Sequence, residues 1–369
     1  MLFLTRHFGV TASDADRDPV REKAEIEEII EKSLLLQAKS AAQQHRSIGR
    51  GTHVKGVCAR AQFEVLDVRT GRNDGLGLRL AKGIFAKPSV YPAIVRFANA
   101  DPKKNSDFKP DVRALSFSVD LGQSTTASGE RARRQDFSLQ NTKTLPINDA
   151  SAFLALSKIL TAANPASALW SLPFKDKLSV LRTLALVQPQ MHQTIKPYQQ
   201  LRYESNVPFR HGPIDVVKYS ATPSLKNHAS ALERKNPNGL RDELIRHVQE
   251  DSKMSSFDFG VQFLDTDRMT YWGKQQDVSF WVENASIKWN ESEAPFHTIA
   301  RLTLLSKSHL PQDAAEAVYF DVTENSTSDS TPLGSINRAR WSSEVASRKA
   351  RMQAADIREH EPPSYMRSA

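Results

Sequence analysis

Short runs of strictly alternating apolar residues are the feature that most constrains how this chain can fold. Val57, Ala59, Ala61, Phe63 and Val65 alternate with Cys58, Arg60, Gln62 and Glu64, which puts every apolar side chain of an extended segment on one face. Ala93, Val95 and Phe97 form a second run behind Pro92, and Leu115, Phe117, Val119 and Leu121 a third. After a helical stretch the pattern returns at Val217/Tyr219, at Phe257, Phe259, Val261 and Phe263, at Ala285, Ile287 and Trp289, and at Ala300, Leu302 and Leu304. These strands cluster without the regular strand–helix alternation of a parallel α/β sheet. The pattern predicts an α+β fold with a largely antiparallel sheet or barrel.

Helical spacing occupies the remainder. Ile26, Ile29, Ile30 and Leu34 predict a helix over 20–45. Asn148 or Asp149 can cap a helix carrying Phe153, Leu156 and Leu160. Leu178, Leu181 and Leu184 predict another, ending before Pro189, and Leu240, Leu244, Ile245 and Val248 a further one. A last helix is expected from about Ile336 to Ile357, before a Pro362-Pro363 tail. The segment from Gln123 to Gly129, followed by Arg131, Arg133 and Arg134, reads as a polar loop with a basic tip. The expected division is an N-terminal helical arm over 1–45, one core domain over 46–357 and a tail over 358–369.

Composition excludes several classes. One cysteine among 369 residues, Cys58, rules out an internal disulfide and a Cys-rich zinc or iron–sulfur site. It falls on the polar side of its strand and reads as a structural thiol. No stretch approaches the ~20 apolar residues of a membrane span. The amino terminus lacks an h-region and a small-residue cleavage site, so the expected location is cytoplasmic. A net charge of +8 suits anionic partners: nucleic acid, phosphate or carboxylate ligands, or acidic lipid headgroups. Lys103-Lys104 and the Arg131–Arg134 tip lack the interleaved aromatics of a nucleic-acid platform, so no nucleic acid is expected. No Walker loop, dinucleotide glycine fingerprint, HExxH helix or GxSxG elbow is present. The ten histidines show no metal-ligand spacing, and His7, His211 and His360 are expected in exposed loops.

Two local features carry more. Arg50-Gly51-Thr52-His53-Val54-Lys55-Gly56 enters the first strand, and a histidine delivered by a strand edge suits a fixed acid–base group, or simply a strand end. On the last helix, Arg340, Glu344, Ser347, Arg348 and Arg351 fall along one stripe, which a solvated helix face with Arg–Glu pairs would also produce.

Taken together the segments resemble the haem catalases. Arg50–Gly56 leading into Phe63-Glu64-Val65 is similar to their distal histidine strand. Tyr91-Pro92-Ala93-Ile94-Val95-Arg96-Phe97 is similar to the strand supplying a propionate-binding arginine, and Asp111–Phe117 to the strand that follows. Asp136-Phe137-Ser138-Leu139-Gln140-Asn141 is similar to the distal asparagine segment. Pro332-Leu333-Gly334-Ser335-Ile336-Asn337-Arg338-Ala339-Arg340 resembles the closing motif of the small catalase-related proteins, a group also similar to allene-oxide-synthase domains. The match runs in order from about 46 to 355.

The resemblance implies a catalase-type antiparallel β-barrel with flanking and inserted helices, and haem b buried between them. It implies His53 as distal acid–base group and Asn141 as the peroxide-positioning asparagine, with Gln140 in that place if the register slips by one. It implies Arg50, Arg96 and Arg351 on the haem propionates, Arg340 behind the proximal ligand and Phe153 lining the cofactor. Arginine suits propionates because its fork pairs with a carboxylate in bidentate fashion. Two positions depart from the pattern. The proximal tyrosine is replaced by Glu344, and no tyrosine occurs between Tyr319 and Tyr365. Ala98 stands where the distal histidine's serine partner is usual. A tyrosinate is the expected axial ligand of catalase haem, and a carboxylate is a weaker donor, so the expected activity is peroxidase- or catalase-type on hydrogen peroxide or organic hydroperoxides with weak catalase turnover. The alternative is a haem-free catalase-fold protein that binds another anionic ligand or a protein partner. A homo-oligomer is left open by the sequence.

Overall fold

The computed structural model describes residues 18–354 apart from 46, 71–73, 123–128, 130–132 and 251–252. Most of the loop expected at 123–129 and the Pro362-Pro363 tail lie outside the described residues, as do His7 and His360. The chain begins with helix α1 (Pro19–Gln43). The Asp18 side chain caps it by accepting from the Val20 and Arg21 amides, with Pro19 in the first turn. Strand β1 (Gly56–Val65), short helix α2 (Leu76–Leu80), and strands β2 (Ser89–Asn99), β3 (Arg113–Asp120) and β4 (Arg134–Gln140) follow. Next come helices α3 (Ala150–Thr161), α4 (Pro165–Ser171) and α5 (Phe174–Met191). Strands β5 (Tyr203–Glu204), β6 (Phe209–His211) and β7 (Asp215–Pro223) precede helix α6 (Gly239–Ile245). The chain continues through β8 (Ser255–Phe263), the small hairpin β9 (Thr270–Tyr271) and β10 (Lys274–Gln275), and helix α7 (Val278–Glu283). It ends through β11 (Phe296–His309), α8 (Gln312–Ala317) and the closing helix α9 (Ser335–Ala354).

Eight of these strands form a closed antiparallel barrel in the order β5-β4-β3-β2-β1-β11-β8-β7, with β7 returning to β5 and β6 attached outside on β7. The interior is solid. Phe63, Phe117, Phe137, Phe257, Phe259 and Tyr219 are fully buried, and the Phe117 and Phe137 rings stack at 4.7 Å between centroids. An eight-stranded barrel is narrow enough to be filled by side chains, and here the aromatic rings fill it. Helices α1, α3 and α9 meet on one flank through Ile29, Ala150, Leu154 and Ala339.

Several expectations change in three dimensions. Ala285, Ile287 and Trp289 do not form a strand; the segment is a turn whose Ile287 and Trp289 join a satellite cluster with Phe280 and Trp281. Their alternation reflects side chains dropping into gaps, not a sheet register. Helix α5 continues past Pro189 to Met191. Arg134 is no loop tip: it is buried in β4, pairs with Asp136 and lies over the Tyr319 ring. His211 is buried in β6, its Nε2 2.9 Å from the Leu80 carbonyl oxygen. Cys58 points away from the barrel interior but is wholly buried by Leu310, Ala315 and Val318, and burial raises its thiol pKa.

Candidate functional site

The strand register defines one rim of the barrel. Gly56 pairs with Ala98, Ala98 with Ala114, Ala114 with Gln140 and Gln140 with Glu204. His53 lies three residues before this row and Asn141 one residue after it.

His53 adopts a left-handed backbone conformation with φ of 55°, an uncommon state for a non-glycine residue. Two bonds hold it there: its amide donates to the Ala100 carbonyl at 3.2 Å, and Arg96 Nη2 donates to its own carbonyl oxygen at 2.7 Å. Gly56 makes the second bond feasible, because a Cβ there would stand 2.6 Å from Arg96 Cζ. The half-buried imidazole places Nδ1 3.0 Å from the Thr52 hydroxyl. Ala98 offers no hydroxyl; the hydroxyl at the ring is that of Thr52. Desolvation, followed by the positive charges of Arg96, Arg340 and Arg50, pushes the His53 pKa down to about 3. The ring is neutral at physiological pH, as a proton acceptor requires.

Arg50, Arg96 and Arg351 lie within electrostatic reach of one another. Burial and the neighbouring guanidiniums together lower the pKa of Arg50 well below its usual value, and burial lowers that of Arg351. Arg50 donates to the Val318 and Glu316 carbonyls, and Arg351 Nη1 to the Glu316 carbonyl at 3.1 Å. Both therefore cap the carboxyl end of α8, whose unpaired carbonyls attract cations. The carboxylate of Glu316, largely solvent-exposed, is 3.8 Å from Arg50 Nε, and that buried Nε has no hydrogen-bond partner.

The other expected residues are placed less favourably. Asn141 Oδ1 accepts from the Arg113 amide at 2.7 Å and its Nδ2 reaches Gln193 Oε1 at 3.3 Å, so its carboxamide fastens β3 to the segment after α5. Gln140 is half-buried on the rim row itself. Phe153 is half-buried where the barrel core meets the α1–α3–α9 cluster. Arg340 Nε bonds Glu344 Oε1 at 2.8 Å, one turn along α9, and both remain partly exposed. Sequence reasoning missed Thr52, Gly56 as a steric requirement, and Gln37, whose Nε2 bonds the Gly49 and Ser347 carbonyls and ties α1, the His53 segment and α9 together. Thr52 was visible as a hydroxyl adjacent to the histidine; nothing local marks Gln37 or Glu316.

The donor set fits part of a haem. Clustered guanidiniums with an orphaned buried Nε suit a pair of carboxylates. The axial side does not fit: Glu344 is already paired with Arg340, and Tyr319, the nearest upstream tyrosine, has its ring stacked against Arg134 and Arg348. Among the described residues no group of three or more His, Cys, Asp and Glu could hold a separate metal ion.

No family model matches the sequence, and no curated protein matches it. Solved structures do. Catalase A from Saccharomyces cerevisiae is similar over 89% of this chain and 66% of its own, with a TM-score of 0.61 and 15% identity. A fungal catalase is similar over 89% of this chain and 62% of its own, with a TM-score of 0.57 and 14% identity. A bacterial catalase matches 87% of this chain and 62% of its own, with a TM-score of 0.51 and 12% identity. The chain thus has the catalase-like α+β fold, and it spans just under two thirds of the length of these catalases. No described helix is long and apolar enough to cross a membrane.

Proposed function

We propose that this protein is a catalase-related haem-binding protein that acts on hydrogen peroxide or organic hydroperoxides beside His53, with weak catalase turnover. One arrangement carries the reading: Arg50, Arg96 and Arg351 lie close together next to a neutral histidine, with the exposed Glu316 carboxylate as an acidic neighbour of Arg50 and Arg351. In this reading Arg50, Arg96 and Arg351 would hold the propionates of haem b, Phe153 would line it, and His53 would accept the peroxide proton with Thr52 fixing its ring. Haem would supply the redox centre. Glu344 would provide no phenolate, so catalase turnover would be weak.

A haem-free protein that takes another anion is favoured by the Arg340–Glu344 pair, which satisfies the proximal position without iron. Expression with a haem precursor followed by pyridine haemochrome analysis separates the two. Near-stoichiometric haem supports the first reading and clean apo-protein the second. Replacing Arg50 and Arg351 together with Met should lower haem retention at least ~10-fold, since each removes charge-assisted donors. His53→Ala should cost ~10²–10⁴-fold in peroxidase turnover while haem content stays close to wild type.

A further inference from the structure

Helix α5 is built inside out. Its inward face buries Ser179, Val180, Arg182 and Thr183, with Arg182 Nη1 bonded to Ser286 Oγ at 2.5 Å. Its outward face carries Phe174, Leu181 and Leu184, all exposed, at positions that lie on one stripe with Lys177. The preceding helix α4 has no fully buried residue, and its Trp170 is 77% exposed. Lys177 Nζ stands 5.6 Å from the centre of that indole. Elsewhere a surface helix turns its apolar stripe inward; here tertiary packing holds the polar stripe and leaves the apolar one unpartnered.

Two lysines flank the rings of this face. Lys175 is exposed beside Phe174, and Lys177 lies within the stripe. The intervening Asp176 is half-buried and its field acts on Arg21 of α1. Lys158 is partly neutralised by Glu28 at 2.9 Å. An indole and a phenyl ring flanked by ammonium groups is the composition of segments that rest in the headgroup region of a bilayer, with the rings in the acyl boundary and the lysines among phosphates. The size argues the same way. Trp170, Phe174, Leu181 and Leu184 together make a patch smaller than the ~800 Å² that each partner buries in a stable dimer.

From these observations we infer that the α4–α5 face docks on an anionic lipid surface, seating Trp170, Phe174 and Leu181 in the interface with Lys175 and Lys177 on headgroup phosphates. The contact is peripheral and independent of the arginine cluster.

The test is co-sedimentation of the full chain with vesicles of phosphatidylcholine alone, and of phosphatidylcholine and phosphatidylserine in equal amounts. Wild type should pellet with the mixed vesicles and far less with the neutral ones. Trp170→Ser combined with Phe174→Ser should lower the partition coefficient at least ~10-fold, because both rings lose their apolar transfer. Lys175→Glu with Lys177→Glu should abolish the preference for phosphatidylserine while both rings are retained, which keeps the test decisive if the serine variant misfolds. Wild type that stays in the supernatant with both vesicles overturns the inference, as does a well-folded serine variant that pellets like wild type. Concentration-dependent self-association that the serine variant dissolves would assign the face to a second copy of the chain and also overturn it.

Discussion

Arg96 grips His53 by its backbone: Nη2 donates to the histidine's carbonyl oxygen at 2.7 Å, and the imidazole is left to Thr52. The arginine therefore acts on the histidine twice, fixing a left-handed residue that ordinarily costs ~1–3 kcal/mol to hold and adding its charge to the burial that chiefly keeps the ring deprotonated.

Gly56→Ala tests the grip. The new methyl would sit 2.6 Å from Arg96 Cζ and 2.7 Å from the Phe97 carbonyl oxygen, and the backbone oxygen cannot move away cheaply. A loss of ~1–3 kcal/mol is expected in urea unfolding. Arg96→Met should cost a similar ~1.5–3 kcal/mol. The double variant should cost less than the two added together, because both break the same contact.

Acidification should destabilise the protein through His53. Its folded pKa of about 3 lies below the ordinary value near 6.5, so between those values the unfolded chain binds a proton that the folded chain refuses. Stability is thus unaffected by this group above pH ~6.5 and falls as pH drops toward 3. Buried His211 is shifted the same way and contributes to the same slope. Comparing unfolding of wild type and His53→Gln across pH 7 to 4 isolates the His53 share; identical slopes would show that His53 does not titrate as placed.

Thr52→Val removes the hydroxyl at Nδ1 while retaining the side-chain shape. Only ~0.5–1.5 kcal/mol of stability is at stake, so melting is a poor readout. The nitrogen chemical shifts of the His53 ring should instead move toward a mixed tautomer population, whereas an unchanged spectrum would mean that Thr52 does not orient the ring.

Glu344→Gln should change stability by no more than ~0.5 kcal/mol, since the Arg340–Glu344 pair is a partly exposed i,i+4 contact. Glu344→Tyr asks a different question. In haem-loaded protein it should bring a high-spin ferric phenolate signature in absorbance and electron paramagnetic resonance; a spectrum identical to the parent would place position 344 away from the iron.

The barrel was legible because its interior is made of large apolar residues on a period of two, and Phe63, Phe117 and Phe259 announce both strand and inward face. The same rule failed at Ala285–Trp289, where apolar residues plug the outside of the sheet without pairing. It failed again at Leu181 and Leu184, whose helical spacing was read correctly while the buried face turned out to be Ser179, Arg182 and Thr183. Arg134 and His211 look like surface residues in sequence because their partners, Asp136 with Tyr319 and the Leu80 carbonyl, are tertiary. At the candidate site, His53 and the arginines were readable as motif positions. The second use of Arg50 and Arg351, as caps for α8, was not, since backbone carbonyls leave no trace in a sequence.

The closing strand of the barrel is only two residues long. Tyr203 and Glu204 meet Ala221 and Ser220 on one side, and Glu204 alone meets Gln140 on the other. Counting round the eight strands, this narrow join falls diametrically opposite β1, the strand that issues from His53. The cylinder is therefore mechanically a rolled sheet with a clasp. Local opening starts where the clasp is thin, and the β1–β2–β3 wall beneath the arginines keeps its pairing while it does so. Amide exchange should accordingly run fastest at 203–204 and slowest along β1, so that the barrel can breathe on one side without loosening the histidine on the other.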